Sequence, residues 1–376
     1  MADLTLGVDP GGSGLKGFYT LNTFKPELIL MEPEVAAVPL HSLEAYEQTK
    51  IGNSSPENNA WIEYKGQHLA VGFLARKRFY ADLQLQKRKF ELALPKVLAM
   101  VGAIADKHEL ANGSSIKLGI LLPWGEYQDR ALFSTLVTQA LADYKFRGQP
   151  KSFLVESFIC LPEGGGVLSR GRTPGSSLKD QTVAVVMLGY RDISILLVER
   201  GEMSVGRTES LGFAKMVDRV KSQTSGLDQH QLVTAMCKAG KNISSKALEP
   251  LVVSLDSAYK SHEISTIRKA ISNAKEEYWM MLSQWLKLHV TRSADEVITA
   301  GGTANFFRSE LNSLFSFSRV NWCEHLEKQI FNSFSNQIST KSLDYRLTDV
   351  YGLFFYLYGA KPKNNPTTLK GGLTHV

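Results

Sequence analysis

An acid, a run of glycines and a lysine stand together near the start of the chain, in Asp9-Pro10-Gly11-Gly12-Ser13-Gly14-Leu15-Lys16-Gly17. These residue types in this order suit phosphate chemistry. Glycines free backbone N–H groups to face an anion, and Lys16 adds a cation near the tip. Asp9 is a hard oxygen donor of the kind that holds Mg²⁺ through water. Gly12 to Gly17 also matches the dinucleotide pattern G-x-G-x-x-G, which requires a helix to come next. The residues after Gly17 are Phe18-Tyr19-Thr20-Leu21, which have strand chemistry. The pattern G-x-x-x-x-G-K-[ST] is also missing around the loop. The stretch therefore predicts a β-hairpin with Asp9 at the end of its first strand. By itself the loop fits either a phosphate cradle or a tight turn that only needs glycine.

Two more glycine sites need elements to position them. Thr182 to Gly201 again reads strand, glycine turn, strand, roughly 180 residues after the first hairpin. Placing Gly189 on Gly11 sets Met187 opposite Asp9 and Ser194 opposite Lys16. Glu296 to Ala300 reads as a buried strand, and Gly301-Gly302-Thr303 turns it into a helix. The repeat suggests a duplicated α/β unit with one phosphate loop from each half.

Composition narrows the class. The 376 residues allow about two domains. A net charge of +6 eases contact with anions without pointing to direct nucleic-acid binding. The basic run Lys87-Arg88-Lys89 reads first as a solvated helix face. The 3 cysteines form no metal-binding cluster and suit a reducing compartment. With no long apolar run and no signal-like start, the expectation is a cytoplasmic protein with no membrane contact.

In order and spacing the three loops resemble the actin-like ATPase superfamily, and within it the bacterial ParM/StbA plasmid-segregation branch. Further segments carry the likeness. Gly119 to Tyr127 is similar to that branch's strand-then-Leu-Pro segment, Pro162-Glu163-Gly164-Gly165-Gly166 to its connecting segment, and Asp344 to Leu353 to its closing helix. The resemblance implies an actin-like, duplicated RNase H-like α/β fold of two domains with a nucleotide cleft between them. Domain I would span 1–165 plus 343–360 and domain II 166–342, with 361–376 a disordered tail.

The resemblance also implies roles. ATP and Mg²⁺ would be the ligands, with Asp9 serving the metal and catalysis, and Glu163 positioning the attacking water. Gly11, Gly12, Ser13, Gly14 and Lys16 would form the first phosphate loop. Gly189, Tyr190, Arg191 and Asp192 would form the second. Gly301, Gly302 and Thr303 would lie on the adenosine side, and Lys215 near the ribose or phosphates. Self-assembly into ATP-dependent filaments and a DNA-binding adaptor are the implied partners. One position departs from the pattern: the second loop normally begins with Asp, and here Met187 stands there. Methionine neither holds Mg²⁺ nor accepts a proton, so a slow ATPase and a non-hydrolysing nucleotide switch both stay open. A small-molecule kinase of the same fold would need a sugar-binding acid, and no motif supplies one.

Overall fold

The computed structural model describes residues 2–22, 25–171, 177–240, 242–254, 256–338 and 344–359. The tail expected to be disordered, 361–376, lies outside the described residues, and so does 172–176, within a Ser/Gly/Pro-rich stretch of the sequence.

Two five-stranded sheets share one plan. In the first, Leu4–Gly11 is central, antiparallel to Gly14–Thr20 and parallel to Ser114–Leu122. Phe153–Pro162 and Glu27–Met31 close its edges. In the second, Thr182–Leu188 is central, antiparallel to Ile193–Glu199 and parallel to Glu296–Ala300, with Glu202–Glu209 and Arg319–Asn321 at the edges. The parallel central strands are buried on both faces, which is why Val8, Ile120, Val185 and Ile298 read as continuous apolar runs. A third, antiparallel sheet joins Val35–Ala37, Gln67–Val71, Trp61–Tyr64, Tyr144–Phe146 and Gln149–Lys151.

Helices cover the sheets. Lys89–Lys107 and Arg130–Ala142 pack on the first, and the apolar stripe Ala93, Val97, Leu98, Val101 is fully buried there. The first of these helices runs through Pro95 without ending. Phe213–Lys221, Gln229–Ala239 and the 33-residue Ser257–His289 cover the second sheet. The long helix starts earlier than its apolar periodicity from Ile264 predicts. Asp256 caps it, its side chain accepting from the backbone N–H groups of Ala258 and Tyr259 at 2.9 and 3.2 Å.

A third apolar cluster joins the two sheets, drawing Phe18 and Leu121 from the first, Val183 and Leu196 from the second, and Leu353 and Phe354 from the helix Thr348–Gly359. Each such side chain contributes roughly 1.5–3 kcal/mol when fully buried. The helix Thr348–Gly359 also crosses the short helix Gly165–Arg170 at backbone contact. A Cβ on Gly166 would stand 1.9 Å from the Asp349 carbonyl oxygen, and one on Gly352 would stand 2.3 Å from that of Gly166. Only glycine permits this approach, and it brings the start of one helix to the residue that follows Glu163 by one position.

Candidate functional site: a cleft closed by three glycine loops

The two hairpins meet at a cleft of about 1030 Å³, open solvent at its mouth included. Gly11, Gly12 and Ser13 line it from the first hairpin, Gly189, Tyr190, Arg191 and Asp192 from the second, and Gly301, Gly302 and Thr303 from the strand-to-helix turn. Asp9, Lys16, Lys89, Glu163, Met187 and Asp349 line its charged end.

The loops are tied to one another. Thr303 donates its hydroxyl to the Gly189 carbonyl at 2.7 Å, joining the third loop to the second. Arg346 donates to the Ser13 hydroxyl at 2.6 Å, joining the closing segment to the first loop. Gly301 has φ 101°, and a Cβ there would lie 2.4 Å from the Leu188 carbonyl oxygen. This explains glycine at the turn.

At the charged end, every carboxylate oxygen of the two expected acids has a protein partner. Asp9 Oδ2 accepts from Lys16, its register partner across the hairpin, and Oδ1 accepts from Lys89 at 2.9 Å. Glu163 Oε1 accepts from the same Lys89 ammonium at 2.6 Å, and Oε2 from the Ser194 hydroxyl at 3.4 Å. Burial opposes the charge on Asp9, but Lys16 and Lys89 outweigh it and hold the carboxyl below the usual range. Burial likewise opposes the charge on Lys89, and Asp9 and Glu163 hold it above the usual lysine value. Among the described residues no group of three or more His, Cys, Asp or Glu side chains comes together to hold a metal. The oxygens of Asp9 and Glu163 are spent on Lys16, Lys89 and Ser194, and no protein-only cage for a divalent ion is formed among the described residues.

Lys89 corrects the sequence reading. The run Lys87-Arg88-Lys89 reads as a solvated helix face, yet only Lys87 and Arg88 are exposed. Lys89 is buried because the helix begins at this residue and turns its side chain into the cleft. Glu126 fixes that start, accepting from the backbone N–H of Lys89 at 2.8 Å and of Phe90 at 2.7 Å. Charge periodicity carries no signal for this, since a helix start is set by a cap supplied from a distant segment.

Arg191 lines the cleft, and its guanidinium reaches across to the first half of the chain. It donates to Glu126 Oε1 at 2.8 Å and to the Lys87 carbonyl at 2.8 Å. Its Nε donates to Asp192 Oδ2 at 2.5 Å, while Asp192 Oδ1 accepts from Ser210 at 3.3 Å. Asp192 is thus buried and partnered at the cleft wall, and burial pushes its carboxyl above the usual value against the pull of Arg191. Lys215 is exposed on the helix Phe213–Lys221 and does not line the cleft. Gly14 lies at the start of its strand and is also outside the lining.

Several lining residues went unmarked in the sequence. Phe213, Val233 and Cys237 form an apolar wall. Asp349 accepts from the backbone N–H groups of Gly164 at 2.8 Å and Val167 at 3.0 Å, fixing the turn that carries Glu163. Its burial, with Asp9 and Glu163 near, pushes its carboxyl up to about 7 although those two N–H groups pull it down. Asp349 lies within the segment matched to the closing helix. The signal was an acid in the first turn of an otherwise apolar helix.

No protein-family model matches the chain, and no curated protein matches it by sequence. Solved structures do. It is similar to ParM of a 15-stranded filament from Clostridium botulinum, with TM-score 0.61 and 15% identity over 95% of this chain and 99% of that one. It is similar to an archaeal actin homologue, with TM-score 0.56 and 12% identity over 94% and 99%. It is also similar to AlfA of a filament from a B. subtilis plasmid, with TM-score 0.52 and 13% identity over 94% and 98%. At such identities the likeness is one of fold, and it spans nearly the whole of each chain. With two sheets of one plan and a cleft at the meeting of their hairpins, the chain has the actin-like fold of the ParM-type proteins.

Proposed function

We propose that this chain is an actin-like nucleotide-binding protein that assembles into ATP-dependent filaments and turns ATP over slowly. The observation that carries the reading is the convergence of three glycine loops on one cleft whose charged end presents Lys16 and Lys89. The first and second loops offer backbone N–H groups to the phosphates, and Gly301 to Thr303 with the wall of Phe213 and Val233 suit the nucleoside. Filament structures among the similar proteins support the assembly reading. The cargo we assign is DNA reached through an adaptor rather than by direct contact.

In this reading Glu163 takes the proton of the attacking water. The terminal phosphorus–oxygen bond breaks, ADP leaves, and phosphate is released. Phosphoryl transfer depends mainly on positioning and charge stabilisation. Asp349 holds the Glu163 turn, and Lys16 and Lys89 supply positive charge. Slow turnover follows from Met187, which lines the cleft where an acid is expected, while Asp192, the second hairpin's own acid, is spent on Arg191 and Ser210.

The test is light scattering and pelleting with ATP or ADP, alongside phosphate release, for the wild type and Glu163→Gln. The reading expects ATP-dependent assembly, and phosphate release that falls in the variant by about a hundredfold. No ATP-dependent assembly at high protein concentration would overturn the filament role. Met187 favours a second reading, a nucleotide switch that binds without hydrolysis. Intact ATP binding with no detectable phosphate release would select it.

A further inference from the structure

We propose that Lys89 is the cation that meets the terminal phosphate of the bound nucleoside triphosphate, so that nucleotide binding by this chain does not depend on a divalent metal. The inference rests on the nucleotide reading above.

The charges at the end of the cleft lead to it. Asp9 and Glu163 bring two negative charges, and Lys16 and Lys89 bring two positive ones, linked in the order Lys16, Asp9, Lys89, Glu163. These four charges cancel, every oxygen of Asp9 and Glu163 is already spent on a protein donor, and Asp349 beside them spends its two oxygens on backbone N–H groups, so no carboxylate is left free for a dication. On the second hairpin Met187 stands opposite Ser194, and the acid that hairpin does bring to the cleft, Asp192, is already paired with Arg191 and Ser210. A triphosphate entering from the glycine loops instead meets ammonium groups already in place.

Lys89 is the better placed of the two for the terminal phosphate. Its ammonium touches Glu163, the acid assigned to the attacking water, whereas Lys16 touches Asp9 only. An ammonium carries three N–H donors. Among the described residues Lys89 uses two of them, on Asp9 and Glu163, and it lines the cleft. The third donor is available to a phosphate oxygen. Its position is preset, because Glu126 pins the backbone of Lys89 and Phe90 at the start of the helix. A preorganised cation of this kind stabilises charge without rearrangement at the moment of reaction.

Calorimetric titration with ATP and with ADP, each in MgCl₂ and in EDTA, tests the inference on the full chain. The wild-type affinity for ATP is expected to change by less than about threefold between the two buffers. Lys89→Met is expected to lose about tenfold to a hundredfold in ATP affinity in EDTA, the range of a hydrogen bond to a charged group. Its ADP affinity should move by less than about threefold, since ADP lacks the phosphate concerned. The single variant leaves Asp9 paired with Lys16 and Glu163 with only the Ser194 hydroxyl. Where it does not fold, Lys89→Met with Glu163→Gln keeps Asp9 paired to Lys16, and the same ATP loss is expected of it. A wild type that loses more than about tenfold of its ATP affinity in EDTA overturns the inference alone. So does a variant that binds ATP in EDTA as the wild type does. Absence of ATP binding in both buffers overturns the nucleotide reading and takes this inference with it.

Discussion

Met187 faces Ser194 across the second hairpin at the register position where Asp9 faces Lys16 across the first. One hairpin thus carries an ion pair into the cleft and the other a thioether and a hydroxyl. The asymmetry leaves Glu163 reaching across to Ser194, which also bonds the Thr208 hydroxyl at 3.0 Å.

Met187→Asp tests whether that missing acid limits turnover. The new carboxylate would face Ser194 at the cleft wall and restore the symmetry of the two hairpins. Phosphate release in MgCl₂ is expected to rise by about tenfold or more, and to become dependent on the metal. Release unchanged from the wild type would show that the second hairpin is not the slow part of the machinery.

Arg191 and Glu126 join the two halves of the chain, with side chains only 14% and 13% exposed. Removing one partner of such a pair costs about 3 kcal/mol. Arg191→Ala should lower stability by roughly that amount. Glu126→Ala should lower it further, because Glu126 also caps the helix Lys89–Lys107, and a lost cap adds about 1 kcal/mol. Chemical denaturation of both variants measures the difference. Equal losses would mean that the cap is supplied by water in the variant.

Lys96 predicts a pH dependence of stability. Its burial, and the charge of Lys89 near it, bring its ammonium down to about 7, with Arg191 adding to this and Asp9 and Glu34 opposing it. A folded-state value below the unfolded one means that the unfolded chain binds more protons between pH 7 and about 10.5. Stability from this group therefore rises with pH across that window. Lys96→Met should be more stable than the wild type at pH 7 by roughly 4 kcal/mol, with the gap closing toward pH 10. Melting curves across that range check it, and a gap that stays constant with pH would refute the assignment.

Gly301 and Gly302 are neighbours with different tolerances. Alanine at Gly301 would have to adopt φ 101° with its Cβ 2.4 Å from a carbonyl oxygen, at a cost above about 2 kcal/mol. Alanine at Gly302 would meet only the flexible Arg346 side chain at 3.5 Å, and should fall within about 1 kcal/mol of the wild type. Thermal unfolding of the two variants separates them.

Local chemistry was enough to place the hairpins. Glycine turns between β-branched and apolar runs dictate strand-turn-strand, and spacing alone aligned Met187 with Asp9 and Ser194 with Lys16, residues that take equivalent register positions as Asp9–Lys16 in one hairpin and Met187–Ser194 in the other. The strand-to-helix turn at Gly301 and the core stripe of Lys89–Lys107 were legible for the same reason, since each depends on residues close in sequence.

What only the tertiary structure decided are the partnerships between distant segments. Lys89 looked like one more surface cation until Glu126, 37 positions away, set the start of its helix and aimed it at Asp9 and Glu163. Asp349 looked like part of an amphipathic helix start until it met the backbone at Gly164, 185 positions away. Arg191, expected at the phosphates, found its charge partner in the other half of the chain. Periodicity and turn chemistry report which way a backbone goes, whereas the partner of a buried charge is chosen by whichever opposite charge the completed fold brings within hydrogen-bond reach.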